Sequence, residues 1–264
     1  MKDVQSESDA RRIPLAKVGV KGLAYPIVVL DRAERRQHTV ATVNLFADLP
    51  HDFKGTHMSR FIEVFNAHRS DLSMPRFLTM LGELRQALDA EDAYSDMTFP
   101  YFLKKRAPVS GQEALMRYEA GYSGRVSGDK SEFLVTVSAP VLTVCPCSKA
   151  ISERGAHNQR GKVSVTVRLG PFFWFEEIIE MIEASASCGL YPLLKREDEK
   201  WVTERAYDNP RFVEDVVREV YLRLERHGGF PWFSVEAENF ESIHDHSAYA
   251  YAEYPAPGGY NREE

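Results

Sequence analysis

Cysteine is scarce in this chain. Only Cys145, Cys147 and Cys188 occur, and an odd, sparse set cannot make a disulfide framework or a four-cysteine zinc knuckle. A finger of two cysteines and two histidines lacks its second spaced pair. Any special role for these thiols is therefore metal or thiolate chemistry. Basic charge is not in excess either: 33 Lys and Arg stand against 39 Asp and Glu, a formal net charge of −6. Phosphate backbones and anionic bilayers demand dense Lys and Arg, so a nucleic-acid or membrane-surface binder is excluded, while one anionic ligand in a local basic pocket is not. No apolar run approaches the ~18 residues of a membrane span, and Met1 to Arg12 is polar with no apolar stretch of a secretory signal. The cytoplasm is the expected compartment. With 264 residues, 44% of them hydrophobic, 16 Gly and 14 Pro, the chain is neither collagenous nor disordered. It is long enough to bury roughly 70–75% of its unfolded surface.

Residues 1–22 carry few large apolar side chains and read as an arm suited to docking on a partner subunit. Two halves of similar grammar follow, 23–144 and 145–264. In the first, Leu23 to Leu30 and His38 to Leu49 are rich in β-branched residues and flank a charged stretch, which predicts a strand pair. Helices are expected over Met58 to Asn66 and from Pro75, where Phe77, Met80, Leu81, Leu84 and Leu88 make one stripe. Strands return at Met97 to Lys105, Ala114 to Tyr122 and Glu132 to Val144, with turns at Pro108 to Gln112 and Ser123 to Lys130.

In the second half Gly161 to Leu169 alternates with period 2, and Phe175, Ile178, Ile179 and Ile182 share a helical face. A later helix is predicted with Asn209 as N-cap, Pro210 at its first position and Gly228 as its stop. Strands at Trp232 to Phe240 and Ser247 to Tyr254 close the half. The fold class is α+β, strands then paired helices then strands, twice over. Antiparallel sheets with helices on one face leave open edges, and edge pairing into a barrel-like homo-oligomer answers that.

The densest chemistry is Cys145-Pro146-Cys147-Ser148-Lys149 after a strand, with His157 downstream. Thiolate and imidazole suit the same borderline metals, and with so few ligands a metal site here is open and catalytic. The plainer reading makes Cys145 a small buried hydrophobe at a strand end. A second cluster, Glu238 to His246, lies between the closing strands and offers Glu241, His244 and His246. A carboxylate beside a histidine can orient a general acid or base, although a solvated loop explains the same residues. Glu214, in the first turns of a helix, and Glu199, in a charge run, both have a plain surface reading. Gly55-Thr56-His57-Met58-Ser59-Arg60 precedes a helix whose N-terminus could receive an anion, although capping alone explains the same residues. Gly128-Asp129-Lys130-Ser131 lacks the Gly-Lys adjacency of a phosphate loop.

Taken together, Asp3-Val4-Gln5-Ser6, Lys17 to Leu23, Lys54 to Arg60, Cys145 to Lys149 and Glu238 to His244 resemble, in order and over nearly the whole chain, the bacterial type IB GTP cyclohydrolases of the tunnelling-fold superfamily. The resemblance implies a tandem tunnelling fold assembled as a homotetramer. The implied activity turns GTP and water into 7,8-dihydroneopterin triphosphate and formate, the entry step of tetrahydrofolate synthesis. It implies Cys145, His157 and Glu199 as ligands of a divalent metal (Zn, Mn or Fe), with Cys147 beside them. Glu214 is the implied purine anchor, and Glu241, His244 and His246 are the implied catalytic loop.

The chemistry suits these residue types. Metal-activated water attacks C8 of guanine, His244 oriented by Glu241 protonates the leaving nitrogen, and Cys147 is a second proton carrier or a hydrogen-bond donor near C8. Glu214 can accept from the ring N–H and the 2-amino group of guanine, a fit adenine does not offer. Lys149, Arg60 and Arg160 are candidates for the triphosphate. Two rival enzymes share the fold: a cyclohydrolase releasing a cyclic phosphate, and a nitrile reductase that forms a covalent thioimidate and uses NADPH. A non-enzymatic metal-dependent binding module would make Cys145 and His157 purely architectural.

Overall fold

The computed structural model describes Gln5, residues 7–168 and residues 170–255. Packing divides the chain into two units, Met1–Pro100 with Gly121–Val135, and Tyr101–Ala120 with Thr136–Glu264. The halves read from the sequence, 23–144 and 145–264, are continuous stretches of chain, whereas these units share out three long strands between them.

In the first unit β1 (Leu15–Asp31) and β2 (Arg35–Leu49) form a long antiparallel hairpin. Asp31 turns it: one carboxylate oxygen accepts the N–H of Ala33 at 2.9 Å and of Glu34 at 2.6 Å. β2 pairs antiparallel with β3 (Asp92–Arg106), and the neighbour order runs on through β4 (Glu113–Ser127) to β5 (Lys130–Val144). The strands are longer than periodicity predicts. β1 starts inside the expected arm, and Ser123 to Ser127, read as turn, is strand, leaving only residues 128–129 to reverse the chain. Gly128 supplies the positive φ of 54° that such a tight turn needs. The described part of the arm docks on its own chain: Gly55 N donates to Gln5 O at 3.1 Å, Lys54 N to Glu7 O at 3.0 Å and Gln5 Nε2 to Thr56 O at 2.9 Å.

Helices α1 (Met58–His68) and α2 (Met74–Leu88) cover one face of this sheet. The α2 stripe is as expected, with Phe77, Met80, Leu81 and Leu84 all buried. Gly124 of β4 has a packing reason to be glycine, because a Cβ there would lie 2.6 Å from Phe77 Cε1.

In the second unit the order is β4-β5-β6-β8-β9, with β6 (Asn158–Arg168), β8 (Trp232–Asn239) and β9 (Ala248–Tyr254), and a two-residue β7 (Cys188–Gly189) beside β5. Leu169, expected to end β6, lies outside the described residues. Alternation sends Val163, Val165 and Val167 inward, where they are buried together with Ile178, Ile179 and Ile182 of α4 (Phe175–Ser185). Helix α6 (Val213–His227) packs on β8, β9 and α4 through Val213, Val216, Val217, Val220 and Leu224. Gly228, at φ 68°, ends it as predicted.

The start of α6 differs from the prediction. Asn209 precedes a proline, which disfavours helical φ/ψ, and it closes α5 (Arg196–Asp208), its side-chain amide donating to Ala186 O at 3.0 Å and Ser187 O at 3.2 Å. α6 begins where Asp215 Oδ2 accepts Phe212 N at 3.0 Å. Two helices went unforeseen: the short α3 (Pro146–Ile151), started by its proline, and α5, which occupies the expected charge run. Among the described residues no helix is long and apolar enough to cross a membrane.

Candidate active site

The Cys145 motif sits in the second unit, where β5 ends and α3 begins. Cys145 is the N-cap of α3, and its Sγ accepts Ser148 N at 3.5 Å. Its backbone N–H donates to His157 O at 3.1 Å, so the end of β5 and the residue preceding β6 are clamped together. Ser148 tightens the clamp, its hydroxyl donating to Cys145 O at 3.4 Å and accepting His157 N at 3.0 Å. The short helix thus has a local job, bringing a cysteine and a histidine twelve positions apart in number to one backbone crossing.

The imidazole of His157 is oriented by a residue that sequence reasoning missed. Gln159 is buried, and its Nε2 donates to Thr143 Oγ1 at 2.9 Å, which leaves Oε1 to pair with His157 Nδ1 at 3.0 Å. An amide oxygen only accepts, so in this pairing Nδ1 carries the proton and Nε2 is the nitrogen a metal would take. The available signal was a polar residue at an inward strand position two after a histidine.

Glu241, largely buried, places a carboxylate oxygen 3.9 Å from His157 Nδ1. This differs from the expected Glu241–His244 pairing, since His244 is exposed and stacks on His246 with ring centroids 5.1 Å apart. His246 in turn lies 3.2 Å from Asp245. The difference arises because β8 ends at Asn239, and strand alternation gives no direction to the loop beyond it. Cys147 is exposed on α3.

α6 begins close by, Arg211 N donating to Val144 O at 3.0 Å, and Glu214 lies in its first turn with an exposed carboxylate. Glu199 is exposed near the start of α5, about 12 Å along the axis from Tyr207 at ~1.5 Å per residue. Tyr207 is where α5 meets α3, its carbonyl accepting Lys149 Nζ. Among the described residues no three His, Cys, Asp or Glu side chains gather as a metal set, so Glu199 does not join Cys145 and His157.

The three candidate cations differ in what they already hold. Lys149 is committed to Tyr207, lying 4.2 Å over its ring as well as bonding its carbonyl. Arg60, in the first unit, donates to Ala87 O at 2.6 Å. Arg160 projects from β6 into solvent.

Comparison with known proteins gives one answer. The family described as type I GTP cyclohydrolase folE2 matches residues 1–250. The GTP cyclohydrolase FolE2 of Syntrophus aciditrophicus is 57% identical over 253 residues, which is 96% of this chain and 99% of that protein. That of Geobacter sulfurreducens is 53% identical over 250 residues, 95% of this chain and 96% of that one. Among solved structures, uricase from Arthrobacter globiformis aligns with a TM-score of 0.52 at 12% identity, covering 94% of this chain and 95% of that chain. Such low identity carries the fold alone, and that fold is the tunnelling fold, an antiparallel sheet layered with helices. By family match and by identity over nearly its full length, the chain belongs to the type I GTP cyclohydrolases.

Proposed function

We propose that this chain converts GTP and water to 7,8-dihydroneopterin triphosphate and formate in folate biosynthesis, as a cytoplasmic homotetramer dependent on a divalent metal. One observation carries the reading: in a chain of this family, the backbone of Cys145 meets that of His157 where β5, α3 and β6 meet, and the His157 ring is held by Gln159 with a Glu241 carboxylate oxygen 3.9 Å away. Those two donors fit a borderline divalent ion, since a thiol and an imidazole whose Nδ1 is already bonded to Gln159 are two of the ligand types such metals take. Cys145 and His157 would hold the metal, two of the protein ligands such an ion takes. Bound there, the metal supplies Lewis-acid activation of water for attack at C8 of guanine.

The chain's own residues do the rest. Glu214 accepts from the ring N–H and the 2-amino group of guanine and so orients C8. Its place is the first turn of α6, where backbone N–H groups favour a negatively charged side chain. Glu241, beside the imidazole, holds the proton that passes to the nitrogen released when the ring opens. Cys147, His244 and His246 lie exposed around the motif and loop and serve proton transfer as substrate covers them.

The test incubates metal-stripped protein with GTP, alone and with Mn²⁺, Fe²⁺ or Zn²⁺. Formate and the fluorescence of the oxidised pterin are followed together. Metal-dependent release of both is expected. Folded protein that stays silent with every metal would overturn the reading.

A further inference from the structure

On its β7 side β5 is paired only as far as Leu142, opposite Cys188, and the strand runs on to Val144. The N–H and C=O of a strand residue point to the same side, and a buried pair must find partners. Val144 finds them outside the ladder. Ser187 Oγ accepts its N–H at 3.0 Å, and its carbonyl accepts Arg211 N–H at 3.0 Å. The side-chain amide of Asn209 joins the same segments a second time, donating to Ala186 O at 3.0 Å and Ser187 O at 3.2 Å. Two carbonyl acceptors fix which end of that amide faces them, since only the NH₂ donates.

These bonds close a ring. It runs from Val144 to the Ser187 hydroxyl, from the Ser187 carbonyl to Asn209, along the chain through Pro210 to Arg211, and back to Val144. Pro210 stiffens the covalent side by locking its φ. Ser187 is 1% and Val144 4% exposed, so bulk water does not replace a lost bond there.

The two ends of the proposed chemistry leave this ring in opposite directions along the chain. Cys145 follows Val144 directly. Glu214 follows Arg211 by three residues, in the first turn of α6, whose start is set by Asp215 Oδ2 accepting Phe212 N at 3.0 Å. Glu214 takes the N1 and 2-amino edge of guanine, and C8 lies at the opposite end of the ring system, so the purine spans from the carboxylate to the metal motif. We infer that Ser187 and Asn209 are positioning residues that fix the spacing between Cys145 and Glu214 and so place C8. The inference rests on the proposed roles of those two residues. Neither Ser187 nor Asn209 touches the substrate.

Linkage between metal and nucleotide tests this without turnover. Calorimetry follows the binding of 8-oxo-GTP, whose C8 already carries an oxygen and whose N1 and 2-amino edge is unchanged, to protein with and without Zn²⁺. A ligand held at both ends should bind about tenfold or more tighter once the metal is in place. Asn209→Ala and Ser187→Ala should each bring that ratio close to one, with Zn²⁺ affinity and metal-free nucleotide affinity within a few-fold of wild type. In turnover, kcat for formate release should fall about ten- to a hundredfold at nearly unchanged KM. Because both residues belong to one ring, the double variant should be no slower than the poorer single one. Val220→Ala, a core truncation in α6, controls for stability: it should melt earlier yet keep the wild-type ratio and kcat. A wild-type ratio in both alanine variants would overturn the inference, and so would a ratio of one in the wild type. Metal-dependent formate release by the wild type, measured separately, distinguishes that outcome from failure of the cyclohydrolase reading itself.

Discussion

Gln159 does at residue scale what a metal site needs and a ligand list omits. Bonded to Thr143 on one side and His157 on the other, it fixes the tautomer and rotation of the imidazole. Gln159→Leu keeps the volume but removes the acceptor, so Nδ1 loses its partner and the ring can turn. Affinity for Zn²⁺ should fall about 10- to 100-fold, read by competition with a chromogenic chelator; an unchanged affinity would refute the tautomer argument. The carboxylate beside the imidazole separates from the ligands in the same assay. Glu241→Gln should keep affinity within a few-fold and lower kcat about a hundredfold or more, the scale of a lost acid–base group. The cysteine and histidine of this site were legible because thiol and imidazole are rare and chemically distinctive. Gln159 was not, since a glutamine in a strand signals nothing until its neighbours are known. Glu241 was legible as a residue but not as a neighbour of His157, because loops carry no periodicity.

Elements whose stability comes from an apolar stripe, α2, α4 and α6, could be read directly, and so could the alternation of β6. α5 could not. Its amphipathic signal is drowned by charge, and what anchors it is a buried carboxylate with partners far away in sequence. Asp198 accepts Ser110 Oγ at 2.6 Å and the backbone N–H groups of Val109, Ser110 and Lys195 at 2.8, 2.9 and 2.8 Å. Burial alone would push this carboxyl up, but the hydrogen bonds from Ser110, Lys195 and Val109 outweigh it and hold it well below the usual carboxylate range. A depressed folded-state pKa contributes stability that is present above the unfolded value of about 3.9 and is lost as pH falls through the folded one. Asp198→Asn should therefore be less stable than wild type by a constant margin between pH 6 and 8. The margin should shrink below about pH 4, as followed by urea midpoints across that range. A second element-scale expectation concerns the pairing of β6 with β8. Gly161 lies opposite Asn239, and a Cβ would come within 2.5 Å of Asn239 Oδ1. Gly161→Ala should cost about 1–3 kcal/mol as the overpacked side chain is displaced.

For the whole molecule the question is whether the metal completes a structure already built or organises one. The backbone clamp between Cys145 and His157, the Ser148 bonds and the Gln159 bridge are all made by protein atoms alone, which argues that two ligands are preformed. A preformed site binds the native chain and not the unfolded one, so metal adds stability by mass action, about 2.7 kcal/mol at a hundred times Kd. In a chain of this size each kcal/mol moves Tm by about 2–4 °C, so saturating Zn²⁺ should raise the midpoint of the metal-stripped protein by roughly 5–10 °C. The circular dichroism spectrum before melting should be the same with and without metal. A metal that instead organised the region would change that spectrum on addition. Cys145→Ala and His157→Ala should each melt at a temperature indifferent to metal. A shift that survives in both variants would place the ion elsewhere on the chain.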